Sequence, residues 1–113
     1  MKKILILAVA ALLGLVSCSK EHQLIGTWEL TTVVTEGVTI DAKAVEMDVT
    51  ITFKAGGAAT VTSDGYSEVV TYAVSGDTLT LDGQIFTISI KGKTLTATTT
   101  EDGVAVQMIF TKK

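Results

Sequence analysis

Few side chains of this chain have the chemistry of an active site. A nucleophile needs a neighbouring base, yet the sequence holds one cysteine, Cys18, and one histidine, His22. Carboxylates are more numerous, but Asp64, Asp82 and Asp102 each stand directly before a glycine, which is typical of tight turns. Metal sites of the zinc type need several histidine or cysteine ligands. We therefore expect a protein that is not an enzyme and has no catalytic residue, no bound metal and no cofactor.

Cys18 closes an N-terminal segment that has the layout of a secretory signal. Lys2 and Lys3 precede an apolar run at residues 4–16, and small residues lead to the cysteine. The run is shorter than the ~18 apolar residues expected of a membrane-spanning helix. The signal therefore predicts export rather than a retained span.

The ending Leu15-Val16-Ser17-Cys18 resembles the lipobox of bacterial lipoproteins. The resemblance implies cleavage before Cys18, a diacylglycerol on its sulfur and a palmitate-type acyl chain on its new amino group. Stable anchoring takes more than one acyl chain, and this cysteine would carry three. We expect a signal peptide at residues 1–17, the lipidated cysteine and a polar tether at residues 18–24, and a folded domain at residues 25–113. The alternative is an ordinary secreted protein.

The predicted location is therefore the bacterial cell envelope, most naturally the outer membrane. The sequence does not decide between its periplasmic and its surface face. The net charge of −3 becomes −5 once Lys2 and Lys3 leave with the signal, and the chain has no arginine. Phosphate contacts need a basic face, so we expect no nucleic-acid partner. The expected partners are the membrane through the anchor, a small hydrophobic or cationic ligand, and an envelope protein.

The folded part reads as a chain of β-hairpins. Apolar and polar residues alternate with period two, and glycine with aspartate or lysine separates the runs. The strands are predicted at residues 26–35, 47–54, 58–62, 68–75, 78–81, 85–91, 94–100 and 104–111. Residues 36–46 are expected to form a flap or a single helical turn. Eight strands in up-and-down order leave two open edges, which disappear when the last strand pairs with the first. The fold class is therefore all-β, an eight-stranded antiparallel meander closing into a small barrel, with a two-sheet sandwich as the alternative.

The opening Leu24-Ile25-Gly26-Thr27-Trp28 resembles the Gly-x-Trp start of the lipocalin and calycin superfamily. The resemblance extends over the mature chain to the small lipocalin-like lipoproteins of bacteria. It implies a closed, lipocalin-like barrel whose tryptophan plugs one end. Members often pack an arginine of the last strand over that tryptophan, and here Lys112 or Lys113 is expected to take its place.

Antiparallel order assigns inward side chains to the two ends of the barrel. Large apolar residues gather at the tryptophan end, and we expect it to be plugged by Trp28, Phe53 and Phe110. Smaller or partly polar residues gather at the other end, the mouth. The candidate ligand-binding residues there are Thr32, Val34, Met47, Val61, Val70, Tyr72, Phe86, Thr99 and Val104. For Tyr72, a core role with a bonded hydroxyl is the competing interpretation.

Charge also separates the two ends. The predicted mouth turns are rich in Asp and Glu, whereas lysines gather at the tryptophan end. An acidic rim favours a small apolar or cationic molecule at the barrel mouth over a fatty acid. The alternative is a protein-interaction module, either an envelope-complex subunit or a hydrolase inhibitor acting through its loops. An interior cavity of at least ~300 Å³ would favour the carrier, and a filled barrel would favour the interaction module.

Overall fold

A computed structural model describes residues 22–113, which form an antiparallel barrel with almost no helix. The strands are β1 (Gly26–Thr35), β2 (Val38–Asp41), β3 (Val49–Lys54), β4 (Ala58–Ser63), β5 (Tyr66–Ser75), β6 (Thr78–Leu81), β7 (Gln84–Lys91), β8 (Thr94–Glu101) and β9 (Val104–Lys112). Strands β1 and β3 to β9 pair in sequence, and β9 returns to β1. The predicted fold class, eight meandering strands closing into a barrel, is confirmed.

Tight turns set the registers of these hairpins. Asp64, Asp82 and Asp102 all have φ near +51°, and each is followed by a glycine with positive φ. Two successive residues of positive φ make a type I′ turn, whose twist matches that of the paired strands. The aspartates thus have the turn role that the sequence indicated.

The expected flap at residues 36–46 contains a ninth strand. Glu36 and Gly37 form a turn with two positive φ angles, and β2 then pairs back on β1 from Thr35↔Val38 to Thr32↔Asp41. Turns at residues 42–46 follow, where the predicted helical turn lay. The next strand begins at Val49 rather than at residue 47, because Met47 is still tied to this loop by its N–H bond to Ala42 O at 2.8 Å.

A β-bulge overturns the predicted inward positions of Thr32 and Val34. The β1–β9 register shifts between Leu30 and Thr32, and a shift of one residue moves every later side chain to the opposite face. Val33 consequently packs against the core. Uninterrupted alternation in the sequence could not reveal the extra residue.

The core fills the barrel from the tryptophan end. Trp28, Phe53 and Phe110 are at most 2% exposed, as expected for the plug. Leu24, the last residue assigned to the tether, is fully buried with them. No buried polar or charged residue occurs within residues 22–113, and no helix in that range is long and apolar enough to cross a membrane. The predicted signal peptide and Cys18 lie outside the described residues.

Candidate ligand-binding site

The tryptophan end is sealed by three layers of contact. Residues 22–24 form a short helical turn, and Trp28 Nε1 donates a hydrogen bond to Leu24 O at 2.7 Å. Lys112 lies above the indole, with its Nζ 5.5 Å from the ring centroid. The Lys112 stem also runs over Gly26, where an added Cβ would come within 2.7 Å of Cε. Lys112 thus occupies the place expected for Lys112 or Lys113, and this end offers no entrance for a ligand.

Inside the barrel lies a small, wholly apolar cavity. It measures about 80 Å³ and lies midway between the plug and the mouth. Its walls are Val49, Ile51, Phe53, Leu79, Leu81, Phe86, Leu95, Ala97, Met108 and Phe110. Ligand cavities for drug-sized molecules measure roughly 300–1,000 Å³. The interior therefore has room for only a few carbon atoms.

Four of the predicted ligand-binding residues belong to this interior. Val70, Tyr72 and Phe86 are buried, and Val61 packs against the same core. Phe86 alone of the four lines the cavity. The Tyr72 ring packs edge-on against Phe53 at 5.0 Å, and its hydroxyl donates to Lys54 O. Tyr72 thus has the contacts of a core aromatic whose hydroxyl is bonded, on the plugged side of the barrel.

The other predicted residues lie apart from the interior cavity. Val34 and Val104 line a cleft of about 430 Å³ between the β1–β2 turn and β9, and Thr32 lines a second cleft beside β2. Met47 is 41% exposed, so its predicted inward position is wrong. Thr99 donates its hydroxyl to Ile85 O at 3.1 Å. The structure therefore divides the predicted set among several places.

The cleft that contains Met47 has a distinct architectural cause. Strand β1 pairs with β3 up to Glu29↔Thr50 and with β2 only from Thr32↔Asp41 onward. The wall of the barrel is split where β1 changes partner, and the chain after β2 passes over the split. We call the resulting space the switch cleft. It measures about 350 Å³ and is lined by Glu29, Leu30, Lys43, Glu46, Met47 and Asp48.

Apolar and acidic groups meet in the switch cleft. Leu30 is 4% exposed, whereas the neighbouring Met47 side chain is open to solvent. Glu46 and Asp48 contribute two carboxylates against the ammonium group of Lys43, and the carboxylate of Glu29 lies 3.8 Å from Lys113 Nζ. In the described residues, no group of three or more acidic, histidine or cysteine side chains is arranged to hold a metal ion. The cleft therefore combines apolar side chains with acidic ones.

A family model described as a lipocalin-like domain matches residues 24–102. The chain belongs to the lipocalin-like domain family. A search of curated protein sequences returns no match. The matched stretch covers β1 to β8, and the structure adds β9 as the strand that closes this lipocalin-like barrel. Lipocalin-like domains are in general ligand-binding or carrier-like folds without enzymatic activity.

Charge on this lipocalin-like domain is divided between its two ends. Every lysine of residues 22–113 except Lys43 stands where strands meet the plugged end, namely Lys54, Lys91, Lys93, Lys112 and Lys113. The mouth turns carry Glu36, Asp64, Asp82, Glu101 and Asp102. The sequence had indicated this division. It had not indicated the switch cleft, because the alternation of Glu46, Met47 and Asp48 reads equally well as the start of a strand.

Proposed function

We propose that this protein is a lipid-anchored, non-enzymatic binding protein of the bacterial cell envelope, and that it binds a small cationic molecule with an apolar part in the switch cleft. The observation that carries the proposal is that the carboxylates of Glu46 and Asp48 line the same cleft as the apolar side chains of Leu30 and Met47. The interior cavity is too small to hold such a ligand. The proposed site therefore lies in the barrel wall.

The anchoring part of the proposal is supported by the way the chain enters the domain. Leu24 is held against Trp28 at the plugged end, so only the five residues 19–23 separate Leu24 from Cys18. Fully extended, such a tether spans roughly 20 Å. The plugged end would then face the bilayer with its lysines, each contributing about 1 kcal/mol near an anionic surface. The mouth would then face away from the membrane, and the switch cleft, which lies in the barrel wall, would open to the side.

The ligand class is tested with three probes that share one chain length. Octyltrimethylammonium, octanol and octanoate are titrated into the protein below their micellar concentrations, and amide shifts are followed by NMR. We expect the cation to bind more tightly than the alcohol, and octanoate to bind least, because only the cation is attracted by the carboxylates. Perturbed amides should cluster at residues 29–30 and 43–48. Equal binding of all three probes, or shifts confined to the interior, would refute the site.

A pair of variants separates the cleft from general surface charge. Glu46→Gln with Asp48→Asn should weaken binding of the cation while leaving octanol binding unchanged. Asp82→Asn with Asp102→Asn is the matched control, since it also removes two carboxylates, both from mouth turns where asparagine keeps the positive φ of the aspartate. If the control weakens binding as much as the cleft variant, the attraction comes from the whole acidic end and not from the cleft.

The anchor is tested separately by Cys18→Ala. In cells fed a clickable palmitate analogue, the wild-type chain should carry label and fractionate with membranes, and the variant should carry none. Unlabelled wild-type protein would remove the lipoprotein part of the proposal and leave the binding site unaffected.

A further inference from the structure

One edge of β5 is open along its first half. Strand β6 pairs with β5 only from Tyr72↔Leu81 to Ser75↔Thr78, and β6 turns back at Asp82 and Gly83. Residues 66–70 therefore extend beyond the end of β6 and have β4 as a neighbour on the other side only. This gap in the wall is built by the difference in length between a ten-residue and a four-residue strand.

The direction of the hydrogen bonds shows which groups are unpaired. Tyr72 N–H donates to Gly57 O, so the even-numbered residues of β5 bond towards β4. Asp82 N–H donates to Thr71 O, so the odd-numbered residues face β6. Beyond the end of β6, the N–H and C=O groups of Ser67 and Val69 have no main-chain partner among residues 22–113. Four aligned backbone groups are thus available to one more strand.

Two side chains along this edge, Tyr66 and Val69, are large, apolar and exposed. Tyr66 is 83% exposed and Val69 is 72% exposed, the two highest values among the large hydrophobic residues of the described part. Natural edges are usually protected by charged side chains, above all lysine, by proline or by a bulge, and Glu68 is the one charged residue of this edge. Residues 66–70 contain neither lysine nor proline, and the β4–β5 register runs without a shift.

Charge identifies the kind of strand that fits. Glu68 stands in the middle of the open edge, and the neighbouring turns contribute Asp64 and Asp82, with no lysine in either turn. A second copy of this chain would bring like charges together, which destabilises strand pairs. A strand with lysine or arginine on one face would instead meet Glu68 and the Tyr66 ring, where a cation gains both an ion pair and a cation–π contact. Apolar residues on its other face would meet Val69.

We propose that the open edge of β5, residues 66–70, is a strand-pairing site for an extended basic segment of a partner protein. Main-chain hydrogen bonds would supply affinity, and the alternation of basic and apolar side chains would supply specificity. The site stands apart from the switch cleft, so either can fail without the other. It also agrees with the filled interior, which favours a protein-interaction role.

The test uses the mature, acylated protein in phosphatidylcholine nanodiscs, whose neutral surface does not attract basic peptides. The probe is fluorescein-labelled acetyl-Lys-Val-Lys-Val-Lys-Val-amide, followed by fluorescence anisotropy. We expect saturable binding that weakens as salt is raised. The fully N-methylated peptide should bind at least about tenfold more weakly, because it cannot donate main-chain hydrogen bonds. The peptide with glutamate in place of lysine should not bind.

Val69→Pro blocks the edge on the protein side. The Val69 N–H faces the gap, so proline removes no bond to β4, and Val69→Thr is the matched control that keeps both the N–H and the β-branch. We expect binding to be lost in the proline variant and retained in the threonine variant, with circular dichroism verifying that both fold. Undiminished binding by the proline variant or by the N-methylated peptide would overturn the proposal. Self-association of the protein through this edge in the absence of peptide would also overturn the proposal, because the edge would then bind a second copy of the chain.

Discussion

Replacing Lys112 by methionine tests how the plugged end is held closed. The ammonium group lies 5.5 Å from the Trp28 centroid, inside the ~6 Å range of a cation–π interaction. Methionine keeps most of the apolar stem that crosses Gly26 and removes the charge. Because Lys112 is half-buried, we expect the energy of its cation–π contact to lie between the values typical of exposed and of desolvated sites. We expect Lys112→Met to lower the free energy of unfolding by about 1 kcal/mol, or about 4–8 °C in Tm for a domain of this size.

The assay is urea unfolding followed by the fluorescence of Trp28, the only tryptophan. Lys113→Met is the matched control, because Lys113 is 56% exposed and its contact with Glu29 at 3.8 Å is a surface ion pair. Such pairs contribute less than about 1 kcal/mol, and we expect little change. A double-mutant cycle with Trp28→Phe, read by circular dichroism, isolates the pairwise term. If Lys112→Met and Lys113→Met behave alike, or if the cycle shows no coupling, the charge does not contribute to the closure.

Three further substitutions probe the core and the hairpins by urea unfolding, read by circular dichroism because Trp28→Ala removes the only tryptophan. Trp28→Ala should cost about 3–5 kcal/mol, as for large aromatics in a core, and a cost below about 1 kcal/mol would show that the residue is not the plug. Ala97→Val adds two carbons to the wall of the 80 Å³ cavity and should stabilise the fold by up to about 1.6 kcal/mol. A fall in stability would contradict this expectation and show that the cavity cannot accept the branched side chain. Gly37→Ala places a side chain at φ +77° in the β1–β2 turn and should cost about 1–2 kcal/mol, an expectation that an unchanged midpoint would contradict.

The local pattern of the sequence was sufficient for the strands of the barrel. Alternation along residues 49–54 and the Asp-Gly turns at residues 64–65, 82–83 and 102–103 record the side-chain period and the turn angles directly. Both are properties of a few neighbouring residues, so no knowledge of distant contacts is needed. The burial of Trp28 could likewise be anticipated, because the Gly-x-Trp resemblance links it to one end of a barrel.

Which face a residue occupies was decided by the tertiary structure wherever alternation is interrupted. The bulge after Leu30 moves Val33 inward and Val34 outward, and nothing in the run of threonine and valine marks the extra residue. The switch cleft has the same origin. It forms because β1 changes partner from β3 to β2. That change places Glu29 and Glu46 in the walls of one cleft, and the path of the loop that carries Glu46 could not be predicted from the sequence.

The sequence by itself determined an acidic, all-β chain whose tight turns and closing strand make a barrel. It did so because these features are encoded by composition, by period and by turn chemistry. Only the tertiary structure decided how much of the barrel is filled, which of Lys112 and Lys113 covers Trp28, and where backbone groups of β5 remain unpaired. Those outcomes depend on the volumes of side chains from many strands and on the relative lengths of neighbouring strands, which no single segment specifies.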